Sequence, residues 1–139
     1  WATGAARWGY FNEDVDVGAW AGKLYNKAAR DVIVANPPSG WHVATEAELT
    51  ALAALGGNAL KFGGTDYWTT TGGTNTSGFS AVGGSSRNAD GTFNTIKETA
   101  CFWCADSDKV LKVYHNNDTA EVVDVTSVNE GFSIRLVKD

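Results

Sequence analysis

Gly40-Trp41-His42-Val43-Ala44-Thr45-Glu46-Ala47-Glu48 decides how the chain is read. Trp41-His42-Val43 is a brief extended piece entered from the loop Asn36-Pro37-Pro38-Ser39-Gly40, where two prolines and a glycine exclude regular structure. Thr45-Glu46-Ala47-Glu48 is a capping box. The Thr45 hydroxyl can accept the Glu48 N–H, and the Glu48 carboxylate can reach back to the Thr45 N–H. Leu49, Leu52 and Leu55 then form an apolar stripe, Ala47, Ala51, Ala53 and Ala54 favour the helix, and Gly56-Gly57 stops it. The spacing predicts a helix over 45–55 that follows a short strand.

Upstream, Trp8, Tyr10 and Phe11 suggest a short strand, Asn12 to Gly18 reads as an acidic loop, and Leu24, Tyr25, Ala28 and Ala29 predict a first helix within Gly22 to Val34. Downstream, Asn58 to Asn94 is dominated by Gly, Thr, Ser and Asn and punctuated by Trp68, Phe79 and Phe93, which we read as anchors of an irregular but ordered segment. Beyond Ile96 the pattern turns to β, with strands at Cys101–Ala105, Val110–Tyr114 and Val122–Val125, and Asn116-Asn117-Asp118 as a hairpin turn. In the closing strand Phe132, Ile134 and Leu136 alternate inward. Helices followed by an antiparallel sheet make the chain α+β: two helices, a small sheet and long Gly-rich loops in a single domain spanning 1–139.

Bulk properties narrow the function. The 139 residues suit one core, and 43% hydrophobic content with six Trp, six Phe and four Tyr argues against disorder. A net charge of −5 with scattered Lys and Arg leaves no basic face for nucleic acid or an acidic membrane. No apolar run is long enough to span a bilayer. The chain opens at Trp1 and contains no Met, so it is expected to be a processed chain or the C-terminal part of a longer one.

The chemistry-bearing residues are few. Cys101 and Cys104 have C-x-x-C spacing, but in a strand residues three apart face opposite ways, so separate free thiols are expected. His42 and His115 lack a nucleophile elbow and are read as ordinary, with His42 packed or serving the cap. Asp106, Asp108, Asn116, Asn117 and Asp118 are hard oxygen donors that suit calcium, yet Asn and Asp also belong in turns; the expectation is no cofactor, with calcium the open alternative. If Leu111 and Val113 face the core, Lys112 and Tyr114 face away with Val110. The expected ligand-binding set is therefore Asp106, Asp108, Lys109, Lys112, Tyr114, Asn116, Asn117 and Asp118, mixing a rigid aromatic with adaptable polar groups. Trp103 is open between core and ligand contact, with burial favoured for so large an aromatic.

Several runs together resemble one family. Gly22-Lys23-Leu24-Tyr25-Asn26 resembles its G-K-L-Y-N motif, and the stretch from Gly40 to Glu48 its G-W-H-V-P-T-x-x-E. Ser77-Gly78-Phe79-Ser80-Ala81 with Gly83-Gly84, Arg87 with Asp90-Gly91-Thr92-Phe93, Phe102-Trp103, and the terminal Gly131 to Asp139 continue the match in order. The chain resembles the Fibrobacter succinogenes major paralogous domain family, departing from it at Ala44, where Pro is usual, and at Cys104-Ala105, where Ser-Ser is usual. The resemblance implies the formylglycine-generating-enzyme subtype of the C-type lectin fold. Those enzymes use a cysteine pair and copper, which would require Cys101 and Cys104 to converge.

It implies further a secreted or surface protein of bacteria or a phage particle, non-catalytic, that binds a protein or glycan on a cell surface, with homo-oligomers possible. Some related domains are variable proteins of diversity-generating retroelements, whose variation would here fall between Asp106 and Asn129. Arg87 and Arg135 match family positions and are expected to pin the Gly-rich loops by bidentate hydrogen bonds. The alternative function is a structural or assembly domain of a fibre or surface complex.

Overall fold

A computed structural model describes residues 4–70 and 72–139; Trp1–Thr3 and Thr71, which belong to stretches read above, lie outside the described residues. The architecture is α+β. In chain order it runs β1 (Trp8–Gly9), a 3-10 turn (Phe11–Glu13), α1 (Val15–Ala21), β2 (Leu24–Tyr25), α2 (Lys27–Ala35), β3 (Trp41–Val43), α3 (Glu46–Ala53), α4 (Gly57–Leu60), β4 (Thr99–Trp103), β5 (Lys109–Tyr114), β6 (Ala120–Asp124) and β7 (Leu136–Lys138). The strands form three small antiparallel sheets: β1 with β2, β3 with β7, and β4-β5-β6.

The capping box folds as the sequence requires. The Thr45 Oγ1 accepts the Glu48 N–H at 3.3 Å, and the Glu48 carboxylate accepts the Thr45 N–H at 2.8 Å. Leu49 is fully buried beneath α3. Leu55 was expected to continue that stripe but is exposed, because the helix ends at Ala53 and Gly56 turns the chain at φ 83° into α4.

Among the described residues four α-helices stand where two were expected. The Asn12–Gly18 loop expected from its acidity is mostly helix: Asp14 caps α1 by accepting the Asp16 and Val17 N–H groups. Its sequence, Val-Asp-Val-Gly-Ala-Trp-Ala, is a weak helix former. Tertiary contact favours it, since Gly18 lies so close to the Tyr10 ring that a Cβ there would fall 2.1 Å from a ring carbon. The expected helix over 22–34 begins only at Lys27, with Leu24-Tyr25 in a strand and Asn26 capping through the Ala29 N–H.

The anchors of the Gly-rich segment are in place. Trp68 is buried and donates its indole N–H to the Ala81 carbonyl at 3.1 Å; Phe79 meets Phe102 edge-on at 5.1 Å, and Phe93 meets Phe11 at 5.1 Å. A Cβ at Gly72 or Gly73 would fall 2.0 Å from the Phe62 or Asn58 carbonyl oxygen, respectively, so both positions require glycine. The closing strand departs from its expected alternation. Phe132 is buried, but Leu136 is exposed and Val137 packs against the core. The chain bridges β4 at Ser133 and then crosses to β3, so inward parity resets between two sheets.

His42 joins β3 to α3 and to the C-terminal residue. Its Nδ1 lies 2.6 Å from the Asp139 carboxylate and its Nε2 2.9 Å from that of Glu48. Hydrogen bonds from Asp139 and then Glu48 raise the His42 pKa, while the Thr45 N–H foremost lowers that of Glu48. A raised histidine pKa stabilises fully below its ordinary 6.5 and loses that contribution as pH climbs through the folded value. A lowered carboxylate pKa stabilises above its ordinary 4.5 and loses that contribution as pH falls through the folded value. Denaturant unfolding should therefore show this contribution at its maximum between pH 4.5 and 6.5. His42→Gln should remove the decline on the alkaline side; an unchanged pH profile in that variant would refute the assignment.

Candidate functional site

The sheet β4-β5-β6 places residues by strict alternation. One face carries Ala100, Phe102, Leu111 and Val113, all buried in the main core with Leu49 and Leu60. At roughly 1.5–3 kcal/mol per buried large aliphatic side chain, Leu111 and Val113 fix the register of β5. The other face begins with Trp103, Val110 and Val123 beneath Phe132. Trp103 is in the core, as its size favoured, and its indole N–H donates to the Tyr25 carbonyl at 2.7 Å. Further along this face Cys101, Lys112 and Glu121 stand in one cross-strand row, and Thr99 and Tyr114 in the next.

This second row and third row form a polar ridge. Tyr114 Oη donates to the Glu121 carboxylate at 2.8 Å, and the Lys112 ammonium lies 5.5 Å from the Tyr114 ring centre. Burial first, and the Glu121 contact second, push the Tyr114 phenol up to about 12, so it remains a donor at neutral pH. Beside the ridge a pocket of about 130 Å³ is lined by Ser86, Asn94, Cys101, Lys112, Thr126 and Glu130, among others. Glu130 is itself held by the N–H groups of Thr126 and Ser127.

The eight expected site residues divide into three groups. Asp106, Asp108 and Lys109 lie where β5 begins. Asp106 accepts the Glu46 N–H at 2.8 Å, Lys109 pairs with Glu46 at 2.6 Å, and Asp108 pairs with Lys27 at 2.7 Å and Arg30 at 3.0 Å. Asn116, Asn117 and Asp118 lie beyond the other end of β5. There Asp118 accepts the Asn58 N–H at 2.6 Å, and Asn117 Oδ1 accepts the Thr119 N–H. Lys112 and Tyr114 lie between. The five strand steps of β5 span about 17 Å, far beyond the roughly 5 Å that separates ligands across one calcium ion. The five oxygen donors considered for calcium therefore do not converge.

Each outer group is tied to a buried cation that sequence reasoning missed. Arg30 donates to the Cys104 and Ser107 carbonyls at 2.6 Å each and sits 5.0 Å from the Trp103 ring centre. Lys61 donates to the carbonyls of Tyr114 and Asn117 at 3.1 and 2.9 Å. Burial pushes the Lys61 pKa down. Little in the local sequence marks either, since apart from Asp31, beside Arg30, their hydrogen-bond partners are 53 to 78 residues away. Glu121 was missed too, because the strand was expected from Val122 whereas β6 begins at Ala120.

Cys101 and Cys104 are free and buried, in different core clusters on opposite sides of the sheet. Burial pushes both thiols up to about 11, so neither is a ready thiolate. The copper arrangement would need both sulfurs on one ion, which the sheet between them prevents. Among the described residues no group of three or more His, Cys, Asp or Glu is placed to hold a metal, and no helix is long and apolar enough to cross a membrane. Arg135 donates one hydrogen bond, to the Ser80 carbonyl at 3.3 Å, and lies over Phe79 and Phe102, so it pins the loop mainly by stacking instead of by the expected bidentate pair. Arg87 packs over Phe93, and its backbone pairs with Gly131.

A family model described as Fibrobacter succinogenes major domain matches residues 1–138. No curated protein and no solved structure matches the chain.

The division of roles gives opposite expectations for residues that look alike in sequence. Asp108→Ala removes the carboxylate from Arg30 and Lys27, and Asp118→Ala uncaps Asn58. Each should lower unfolding free energy by about 1–2 kcal/mol, as loss of a charge-assisted bond or a cap does. Glu121→Ala, on the exposed ridge, should stay within about 0.5 kcal/mol. Equal effects in urea denaturation would overturn the distinction.

Proposed function

This chain belongs to the Fibrobacter succinogenes major domain family, and on that premise we propose that it is a non-catalytic ligand-binding module of C-type-lectin-like architecture. The observation that carries the reading is the two-sided sheet. One face is sealed into the core, and the other presents Lys112, Tyr114 and Glu121 from two hydrogen-bonded strands beside a pocket. A rigid aromatic flanked by a cation and a carboxylate offers contact area at low entropic cost with adaptable polar groups around it. Helices packed beside a small antiparallel sheet, long loops pinned by aromatics, and a last strand returning to pair with β3 support the C-type-lectin-like assignment.

By this reading the ligand is a protein or glycan on a cell surface, and the module works outside the cell, on a bacterial surface or phage particle. If the segment 106–129 is diversified, the geometry directs substitutions to 112, 114 and 121 and away from Asp108 and Asp118, whose carboxylates hold the scaffold. An assembly role is the second reading, favoured by Trp41 and Leu136, both exposed on the same face of the β3–β7 ribbon.

The test is binding of the labelled domain to arrayed bacterial and plant surface glycans and extracellular proteins, compared with Lys112→Ala/Tyr114→Ala. The double variant should stay folded and lose roughly tenfold or more in affinity for whichever probe the parent binds. Undiminished binding by a folded double variant would sink the assigned face. Concentration-dependent self-association with no binder would favour the assembly role.

A further inference from the structure

A second cavity lies on the opposite edge of β4 from β5. Two segments meet that edge at single bridges, Ser85 with Ala100 and Ser133 with Phe102. Between them opens a pocket of about 230 Å³ lined by Trp20, Gly22, Lys23, Tyr25, Ser133 and Arg135, over a floor of β4. Its volume suits one six-membered ring, below the range for drug-sized ligands.

The charge of this pocket opposes that of the chain. The whole sequence carries −5, yet the lining includes Lys23 and Arg135 and no Asp or Glu. The Arg135 guanidinium is met by one backbone carbonyl and two ring faces, and by no carboxylate among the described residues. One of its five donors is used there, leaving most of a planar fork. Burial lowers its pKa, the direction expected of a cation short of countercharge. The Lys23 ammonium rests 3.8 Å from the Trp8 ring centre, also without a carboxylate.

The remaining lining combines hydroxyl and aromatic groups with small and aliphatic residues such as Ala21, Val82 and Ile134. Tyr25 Oη and Ser133 Oγ make no hydrogen bond to the protein among the described residues, and burial keeps the phenol protonated. Trp20 forms a wall, backed by Tyr67 at 5.3 Å. A planar fork matches a carboxylate, free hydroxyls match sugar hydroxyls, and an indole wall suits the C–H face of a pyranose. A bare phosphate would use the cations but not the wall.

We propose that the pocket between Ser85 and Ser133 binds a hexuronate residue, with its carboxylate on Arg135, its hydroxyls on Tyr25 and Ser133, and its ring against Trp20. This site is independent of the Lys112–Tyr114 ridge.

The experiment is a ¹⁵N–¹H titration of the whole chain with glucuronate and galacturonate, against glucose, galactose, acetate and inorganic phosphate. A uronate should shift the amides of Gly22, Tyr25, Ser133 and Arg135 and saturate in the millimolar range, with its neutral parent at least about tenfold weaker. Arg135→Gln should abolish the shifts. Because Arg135 also packs on Phe79 and Phe102, Tyr25→Phe is read beside it and should weaken binding by about fivefold or more with the fold intact. Three results would each overturn the proposal: no saturable shift by about 50 mM uronate, equal affinity for the neutral sugars, or acetate and phosphate titrating the same amides as tightly as the uronate. Unaltered uronate affinity in folded Tyr25→Phe and Lys23→Gln variants would do so too.

Discussion

The outer edge of β4 is closed by two isolated bridges instead of a strand, and much of the molecule is arranged to supply them. A bare edge would leave backbone N–H and C=O groups open to another chain. Here the Ser85 N–H reaches the Thr99 carbonyl, the Ser133 N–H reaches the Cys101 carbonyl, and the Trp103 N–H reaches the Ser133 carbonyl. Ser85 comes from the end of the Gly-rich segment and Ser133 from the start of the C-terminal run. The irregular middle of the chain and its end are thus both parts of the central sheet. Arg87 pairing with Gly131 joins the same two segments to each other.

Cations do the corresponding work for the loops at the two ends of β5. Arg30 and Lys61 are almost fully buried; Lys61 donates to backbone carbonyls, and Arg30 divides its donors between the Cys104 and Ser107 carbonyls and the Asp31 and Asp108 carboxylates. Loop carbonyls turned inward need donors, and a long flexible side chain from a neighbouring helix brings several at once. The loops that begin and end β5 are therefore parts of the scaffold, although their Asp and Asn residues have the composition of a binding surface. With its ends held, β5 presents Lys112 and Tyr114 at fixed positions. Pre-organised contact groups lose less entropy when a ligand docks.

Local signals in the sequence were read well where one segment held all the partners. Thr45 and Glu48 are three residues apart and form their capping box regardless of what surrounds them. Lys112 between Leu111 and Val113 supported the conditional reading that, with those two inward, Lys112 and Tyr114 face the other way, and the structure has Leu111 and Val113 in the core. Trp68, Phe79 and Phe93 anchor the Gly-rich stretch because rings of that size have nowhere else to go. Reading failed where the deciding partner was distant. α1 forms from a poor helical sequence because Gly18 meets the Tyr10 ring, and Leu136 turns outward because the chain changes sheets after Ser133.

By itself, then, the sequence determined the α+β class, the α3 cap, the existence of the strands β4, β5 and β6 and the family to which the chain belongs, since each depends on periodicity, capping or ordered motifs within short spans. Only the tertiary structure decided which polar residues are free for a ligand. Asp108 and Lys112 are equally polar and four positions apart, but one is claimed by Arg30 of α2 and the other is left on an open face. That distinction rests on contacts across 78 residues of sequence, and no local pattern encodes them.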